Sequence, residues 1–249
     1  MLRLSRFKMP APTTLRPFFS YYGGKWRIAK KLYPEPKHDV LVEPFAGSAG
    51  YALRYPERQV ILCEKDPCVA AVWRYLIHEA TIERILELPD VDAGTNISKL
   101  RVSQPERYLI GFWLNRAGVR PKTSPSAWMR SGLRPGSFWG QRVKETIASQ
   151  LSAIRHWQIF CCDYRKCPYD GKATWFVDPP YQIKGRHYRF GSPSIDFQKL
   201  RSWCLTRRGQ TIVCEQAGSE WLRFVPIQKC KTTRKSKRSH EAVWINELP

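Results

Sequence analysis

This sequence of 249 residues predicts an α/β fold, and three features carry the prediction. Short apolar runs suited to buried strands alternate with longer runs of helical periodicity. A glycine-rich loop, 45–50, follows the first of these strands, and Asp178-Pro179-Pro180-Tyr181 follows a later one. Such alternation predicts a mostly parallel sheet with helices on both faces, which binds ligands where its strands end.

The N-terminal half begins with an irregular stretch and then alternates. Met1 to Leu15 mixes basic residues, Pro and Thr without periodicity, so we expect a flexible basic arm over 1–15. Gly23 and Gly24 allow a sharp backbone bend before a short helical run. Strands are predicted at Asp39–Val42 and Gln59–Cys63, and helices at Trp26–Leu32, from Tyr51–Arg54 onward, and at Pro67–His78, Thr81–Leu88 and Gln104–Asn115.

The C-terminal half repeats the alternation, with a fully apolar strand directly before Asp178. The elements predicted there are a helix over Lys144–Ile154, strands over Trp157–Phe160 and Thr174–Val177, a helix over Asp196–Thr206, a strand over Gln210–Cys214, a basic turn over Lys229–His240 and a last strand over Ala242–Ile245.

Charge is large and unevenly distributed. The chain has 42 Lys and Arg against 21 Asp and Glu, a net charge of +21. Residues 39–98 hold five basic and ten acidic residues, whereas 107–144 hold eight basic and no acidic ones. In 107–144 arginines and tryptophans are interleaved in a loop-rich stretch, which suits phosphate contacts and base stacking. We expect a nucleic-acid partner; an anionic membrane surface and a merely solubilising charge are the alternatives.

Other compositional features narrow the class of protein. No apolar run approaches the length of a membrane span, and the basic N-terminus lacks the apolar core of a signal peptide, so a cytosolic protein is expected. The eight cysteines include the cluster Cys161, Cys162 and Cys167, but none has paired C-x₂-C spacing. We expect free thiols in a reducing compartment and no metal.

The Asp178 motif has its own chemistry. Two prolines remove two N–H donors and fix φ, so the Asp178 carboxylate and the nearby carbonyls remain acceptors beside the flat ring of Tyr181. Such a group suits a planar ligand that bears an NH₂. The alternative is a proline-stiffened strand exit with a helix-capping aspartate.

Acidic residues also end the first two strands. The loop 45–50 is not a phosphate loop, because no Lys follows its last Gly. Glu43 before this loop disfavours a phosphate but suits an ammonium group. Glu64 ends the second strand, where an acid can accept both hydroxyls of a ribose. A solvated loop acid is the alternative, and Asp66 is the fallback for the ribose.

Three motifs resemble a known family when taken in their order. Tyr22-Gly23-Gly24-Lys25, then Glu43-Pro44-Phe45-Ala46-Gly47-Ser48-Ala49-Gly50, then Asp178-Pro179-Pro180-Tyr181 resemble the Dam-type (class alpha) DNA adenine-N6 methyltransferases. The resemblance implies a Rossmann-like S-adenosylmethionine-dependent fold, with a seven-stranded sheet whose final strand is reversed. It also implies double-stranded DNA as partner, a flipped-out adenine as target, and the cytoplasm of a bacterium or a phage-infected host.

The resemblance also implies residue roles. Asp178 and the Pro179 carbonyl would accept from the target amine, and Tyr181 would stack on the base. Leu114-Asn115-Arg116 resembles the entry to the family's target-recognition region, here 107–144, inserted between catalytic segments 16–106 and 145–249. The cofactor would contact Tyr21, Lys25, Glu43, Phe45, Gly47, Glu64, Asp163 and Asp178, and DNA would contact Arg116, Arg120, Lys122, Arg130, Arg134 and Arg186.

Other functions stay open on the sequence. Cytosine-N4 methylation, or the same chemistry on RNA, is the second enzymatic hypothesis, and Asp rather than Ser at position 178 favours adenine. A non-catalytic DNA-binding protein on the same fold is the third. Glu215-Gln216 stands where many relatives have Ser-Asn, and beyond Arg116 the chain departs from the better-known members, so no recognition sequence is implied.

Overall fold

The computed structural model describes residues 14–115, 118–130, 138–231 and 238–249. One seven-stranded sheet has the order β3-β2-β1-β4-β5-β7-β6. Its strands are β1 (Val40–Glu43), β2 (Gln59–Cys63), β3 (Gln158–Phe160), β4 (Ala173–Val177), β5 (Gly209–Gln216), β6 (Val225–Lys231) and β7 (Arg238–Leu248). β7 runs antiparallel to both of its neighbours, whereas β1 to β5 pair in parallel. The α/β fold with a mostly parallel sheet is therefore as predicted.

Apolar side chains cover both faces of this sheet. Along β1 and β4, Leu41 and Phe176 join one buried cluster, while Val42, Trp175 and Val177 join the other. Successive side chains of a strand point to opposite faces, so an apolar run such as β4 fills two cores at once. The larger cluster includes residues of the helices between β2 and β3, and the smaller one includes residues of the last helix.

The helices are short, and several begin at caps visible in the sequence. Asp66 and Asp196 accept from backbone amides at the starts of two helices, and Ser103 with Glu106 forms a capping box at a third. The helices are α1 (Ala29–Leu32), α2 (Pro67–Arg74, continued by a π turn over Tyr75–Glu79), α3 (Ile82–Glu87), α4 (Gln104–Trp113), α5 (Ala127–Arg130), α6 (Gln141–Ala148) and α7 (Phe197–Leu205).

Several boundaries differ from the prediction. The helix expected from Tyr51 is a single 3₁₀ turn, Ala52–Arg54, because Pro56 lacks an N–H and disfavours helical geometry at the residue before it. β1 extends one residue beyond the predicted strand, to Glu43, and β5 continues through Glu215-Gln216. Leu15 is fully buried, so it belongs to the core; 1–13 of the expected arm lie outside the described residues.

The order of the strands creates a crevice at one edge. From β1 the chain moves outward to β2 and β3 on one side, and it later adds β4 and β5 on the other. The switch point therefore lies between the carboxyl ends of β1 and β4, where open parallel sheets bind ligands. Glu43 ends β1, and Asp178 directly follows β4.

Hydrogen bonds connect the basic segment 107–144 to the rest of the structure. Lys122 donates from its backbone to Gly111 of α4, and Tyr22 donates to Gly118 at 3.2 Å. Two of the eight basic residues counted in 107–144 make contacts within the protein that stabilise its fold. Arg107 donates to three backbone carbonyls, and Lys144 is buried, with Nζ 2.9 Å from Asp90.

Candidate functional site

One pocket lies in the crevice at the carboxyl edge of the sheet. Its lining includes all eight residues for which a cofactor role was predicted, from five separate stretches of the chain: Tyr21, Lys25, Glu43, Phe45, Gly47, Glu64, Asp163 and Asp178. These stretches follow β1, β2, β3 and β4 or precede β1. Parallel strands bring their carboxyl ends to one edge, so residues far apart in sequence meet there.

The glycine loop is fixed at Gly47. This residue has a φ of +46°, and a Cβ there would lie 3.1 Å from Tyr21 Cε1. The conformation therefore disfavours a side chain here, and the Tyr21 ring would have to shift to make room for one. Glu64 Oε2 accepts from Gly47 N at 2.8 Å, and Trp73 Nε1 donates to Gly47 O at 2.8 Å. The loop is thus held open against the pocket from two sides.

Glu43 and Glu64 are buried carboxyls with raised pKa values. Burial raises the pKa of Glu43 to about 8, against the opposing hydrogen bond from the Ala52 amide. Burial likewise raises the pKa of Glu64 to about 7, opposed by the amides of Asp66 and Gly47. Neither carboxyl has an ion-pair partner among the described residues. Both would be stabilised in the charged form by a ligand that brings positive charge or hydrogen-bond donors.

The cations of the pocket are all paired. Six carboxylates and five cations belong to its lining, in a chain whose net charge is +21. The pairs are Lys25–Asp178, Lys65–Asp163, Arg165–Asp163, Arg189–Asp66 and Lys199–Asp196. Among the described residues, the lining therefore offers no unpaired cation to a phosphate.

Asp178 forms an ion pair with the buried Lys25. Lys25 Nζ lies 2.8 Å from Oδ1 and 2.9 Å from Oδ2, and it also donates to the Gly23 carbonyl at 3.0 Å. In the described part of the chain Lys25 is the sole hydrogen-bond donor to Asp178. Burial raises the pKa of Asp178, and Lys25 opposes that rise. A carboxylate offers about four acceptor positions, so Asp178 keeps acceptor capacity.

Only part of the Asp-Pro-Pro-Tyr motif reaches the pocket surface. Pro180 contributes to the lining, whereas Pro179 and Tyr181 do not. The Tyr181 hydroxyl donates to Glu241 Oε2 at 2.5 Å, and Lys25 Nζ lies 4.8 Å from the ring centroid. Glu241 is a buried residue of β7. Lys25 therefore faces two carboxylates, directly at Asp178 and across the Tyr181 ring at Glu241.

A segment after the motif closes one side of the pocket, and the role of its aromatic side chains was not predicted. Tyr188, Arg189 and Phe190 line the pocket beside the predicted residues. The Tyr188 hydroxyl donates to the Tyr22 carbonyl at 3.2 Å, and its ring centroid lies 6.1 Å from that of Tyr21. A Cβ on Gly23 would meet the Tyr188 hydroxyl at 2.5 Å. The available signal was an aromatic pair inside a basic loop between two glycines, 185 and 191.

The Asp163 carboxylate already accepts hydrogen bonds that would compete with a ligand amine. It accepts from Lys65 Nζ at 3.1 Å and from Arg165 through N at 3.2 Å and Nε at 2.8 Å. Burial raises the pKa of Asp163, but these donors outweigh burial and lower it to about 2. Its carboxylate is ionised and largely occupied, so a ligand amine would share it with two cations.

The residues predicted to contact DNA are only partly described. Arg120, Lys122, Arg130 and Arg186 are exposed; Arg116 and Arg134 lie outside the described residues. Arg130 Nη1 donates to the Pro125 carbonyl at 2.6 Å. Arg186 stands in the 3₁₀ turn that follows the Asp178 motif, close to the pocket.

Among the residues described, no group of three His, Cys, Asp or Glu side chains is arranged to hold a metal ion, and seven cysteines are free thiols. No helix in this part of the chain is long and apolar enough to cross a bilayer.

Comparisons with known proteins name no family. No family model matches the chain, and no curated protein matches it. Among solved structures, a conserved hypothetical protein of Streptococcus pyogenes is 11% identical, with 84% of this chain and 86% of that chain covered and a TM-score of 0.37.

Proposed function

We propose that this chain is an S-adenosylmethionine-dependent DNA methyltransferase that methylates the N6 amine of a flipped-out adenine. One observation carries the proposal. Asp178 has acceptor capacity left and stands at the switch point of the sheet, in a pocket whose cations are all paired. Such a pocket suits a cationic ligand on one side and an amine donor on the other.

The charge of the lining supports the cofactor. S-adenosylmethionine carries an α-ammonium and a sulfonium but no phosphate. Glu43 and Glu64 are the carboxyls of the lining without a cation among the described residues. Glu43 would face the ammonium and Glu64 the ribose hydroxyls, beside the open backbone of Gly47. A nucleotide with phosphates would meet these carboxyls with no free cation to offset them.

The motif supports the chemistry. The lone pair of the adenine amine is delocalised into the ring, so accepting hydrogen bonds from both of its N–H groups helps to localise that pair. Asp178 would accept one bond and the Pro179 carbonyl the other; no described residue donates to that carbonyl. Lys25 would hold the Asp178 carboxylate ionised and fixed in orientation. The bound cofactor supplies a methyl group on a positively charged sulfur, and alignment by these side chains provides the acceleration.

Tyr181 would be held in place by Glu241. Its hydroxyl is tied to that carboxylate and Lys25 lies over its ring, so the side chain has a fixed orientation. Tyr181 does not line the pocket, so stacking would require the ring face to become accessible when the target base enters. Tyr188, which lines the pocket, offers a second ring in the same region.

The strand directions of the sheet and the exposed cations support DNA as the proposed substrate. The reversed β7 within an otherwise parallel seven-stranded sheet is what the resemblance implies for a methyltransferase. Flipping a base costs a few kcal/mol of lost stacking and pairing. Exposed cations such as Arg120, Lys122 and Arg186 would offset that cost through phosphate contacts.

The test is transfer of labelled methyl to duplex DNA by the wild type and by Asp178→Ala, followed by nucleoside chromatography. We expect N6-methyladenine from the wild type, and a rate about 10²–10³ lower in the variant, the scale of losing one preorganised polar group. Asp170→Ala is the matched control, because Asp170 is exposed and remote from the pocket lining.

Three results would contradict the proposal. Near-normal transfer by Asp178→Ala removes the carboxylate from the chemistry. N4-methylcytosine as the product, or methylation of RNA alone, moves the activity to another substrate. Wild-type protein that binds DNA but shows no heat of S-adenosylmethionine binding by calorimetry is a non-catalytic DNA-binding protein.

A further inference from the structure

We propose that a groove at the amino edge of the sheet, opposite the pocket, binds a phosphate oxyanion. The groove lies where the chain enters β1, β2 and β3, and its lining includes Pro36, Arg58 and His156 from those entries. Arg54 and Tyr55 form its floor on the turn after the glycine loop. It shares no lining residue with the pocket at the carboxyl edge.

Three buried donors of this groove lack acceptors. Arg54 Nε, the Tyr55 hydroxyl and Arg58 Nε are buried and form no hydrogen bond with the described part of the chain. Tyr55 is 6% exposed. Arg58 Nε lies 3.6 Å from Glu57, which is longer than a hydrogen bond. Buried polar groups are nearly always satisfied, so three unsatisfied donors on residues that line one groove point to an acceptor outside the described part of the chain.

The side chains that carry these donors are held in position. The Arg54 guanidinium lies 4.6 Å from the Trp26 ring, and Trp26 Nε1 donates to the Leu15 carbonyl at 2.5 Å. The Tyr55 ring centroid is 5.1 Å from that of Tyr51. A ligand would therefore meet donors whose rotamer freedom is already reduced, which lowers the cost of binding.

The charge of the groove selects the class of acceptor. Arg54 and Lys30, whose Nζ lies 5.4 Å from the Tyr55 ring centroid, have no carboxylate partner among the described residues. Arg58 is paired with Asp39 at 3.0 Å, and Glu35 and Glu57 are the carboxylates of the lining. In contrast to the pocket, this groove has unpaired cations. Several donors that converge from separate side chains suit a tetrahedral oxyanion, and guanidinium groups favour phosphate.

Two sources can supply that phosphate: the backbone of a nucleic acid or a free phosphorylated small molecule. The first arm of the test measures inorganic phosphate binding by calorimetry at constant ionic strength. We expect Arg54→Gln/Tyr55→Phe to weaken it at least tenfold and Glu35→Gln to tighten it about threefold. Arg201→Gln, an exposed cation on α7, should leave it unchanged. Tighter binding in Glu35→Gln cannot arise from a damaged fold.

The second arm measures the affinity for a short duplex over a range of salt concentrations. If the groove holds a backbone phosphate, Arg54→Gln/Tyr55→Phe flattens the slope of log affinity against log salt by about 0.9. If the ligand is a small molecule, that slope stays and only the phosphate affinity falls. Circular dichroism checks that the variants are folded. The proposal is wrong if the folded double variant changes neither the phosphate affinity nor the DNA salt slope.

Discussion

Replacing Lys25 tests whether its ion pair with Asp178 stabilises the charged form of the Asp178 carboxylate in the pocket. The side chains of Lys25 and Asp178 are 7% and 19% exposed. Taking away one partner of a buried pair costs about 3–5 kcal/mol, because the other charge is left uncompensated. Asp178 retains some contact with solvent, so we expect Lys25→Met to lower the free energy of unfolding by about 3 kcal/mol at pH 8.

The pH dependence of that loss has a definite sign. Burial raises the pKa of Asp178 and Lys25 opposes the rise, so the pKa must rise further without Lys25. An acid whose pKa is raised by folding stabilises the fold below its unfolded pKa and loses that contribution as the pH rises through its folded value. The deficit of Lys25→Met should therefore be smaller at pH 5 than at pH 8.

A double-mutant cycle measured by urea denaturation separates the pair from its surroundings. Lys25→Met/Asp178→Asn removes both charges, and we expect a coupling energy of about 2 kcal/mol between the two sites. Lys37→Met is the matched control, since Lys37 and Glu247 form a half-exposed pair worth about 0–1 kcal/mol. Additive single changes, or a Lys25→Met deficit that is equal at both pH values, would refute the assigned role of the pair.

Three further predictions concern other groups. The pKa of Glu64 is about 7, so the affinity for S-adenosylmethionine should rise between pH 6 and pH 8. Glu64→Gln should weaken cofactor binding by about 1–3 kcal/mol and reduce its pH dependence. Calorimetry at several pH values measures both effects. Hydrogen bonds from Arg84 outweigh the effect of burial and lower the pKa of Glu106 to about 2. Its stabilisation is present above pH 4.5 and lost as the pH falls toward 2, so Glu106→Gln should cost about 2 kcal/mol in urea denaturation at pH 7 and much less at pH 3. Changing Arg120, Lys122 and Arg130 to Gln should flatten the salt dependence of DNA binding by up to about 0.9 per lost contact; an unchanged slope would remove this surface from the interface.

Local signals account for what the sequence predicted well. β2 occupies the predicted Gln59–Cys63, because a run of buried β-branched and apolar residues between turns has few alternatives. α3 and α7 begin after Thr81 and Asp196, whose side chains cap them. Most residues of the pocket could be named because their motifs lie at the ends of strands, and a parallel sheet brings strand ends together. Tyr21 and Lys25, which precede β1, were named from the resemblance alone.

What was missed depends on contacts between distant residues. Glu241 meets Tyr181 because β7 inserts antiparallel between β5 and β6, with Glu241 opposite Gln216. No local pattern marks Glu241 as the partner of a residue sixty positions earlier. Lys144 was counted as a cation for phosphate, but α6 buries it against Leu88 and Asp90. Composition gives the number of charged side chains, but only the packed structure shows which of them are exposed to a ligand.

Under the proposed function, the distribution of charge would allow one chain to accommodate two ligands with opposite electrostatic requirements. Its net charge is +21, yet Glu43 and Glu64, buried in the pocket, lack cationic partners among the described residues. Exposed cations act on a polyanion over about 8–10 Å at moderate salt, whereas buried carboxyls act on groups inside the pocket. Under the proposed function the surface would therefore gather DNA, and the pocket would admit a cationic cofactor while disfavouring phosphates of the same DNA. Raising the salt concentration should then weaken DNA binding steeply and cofactor binding little.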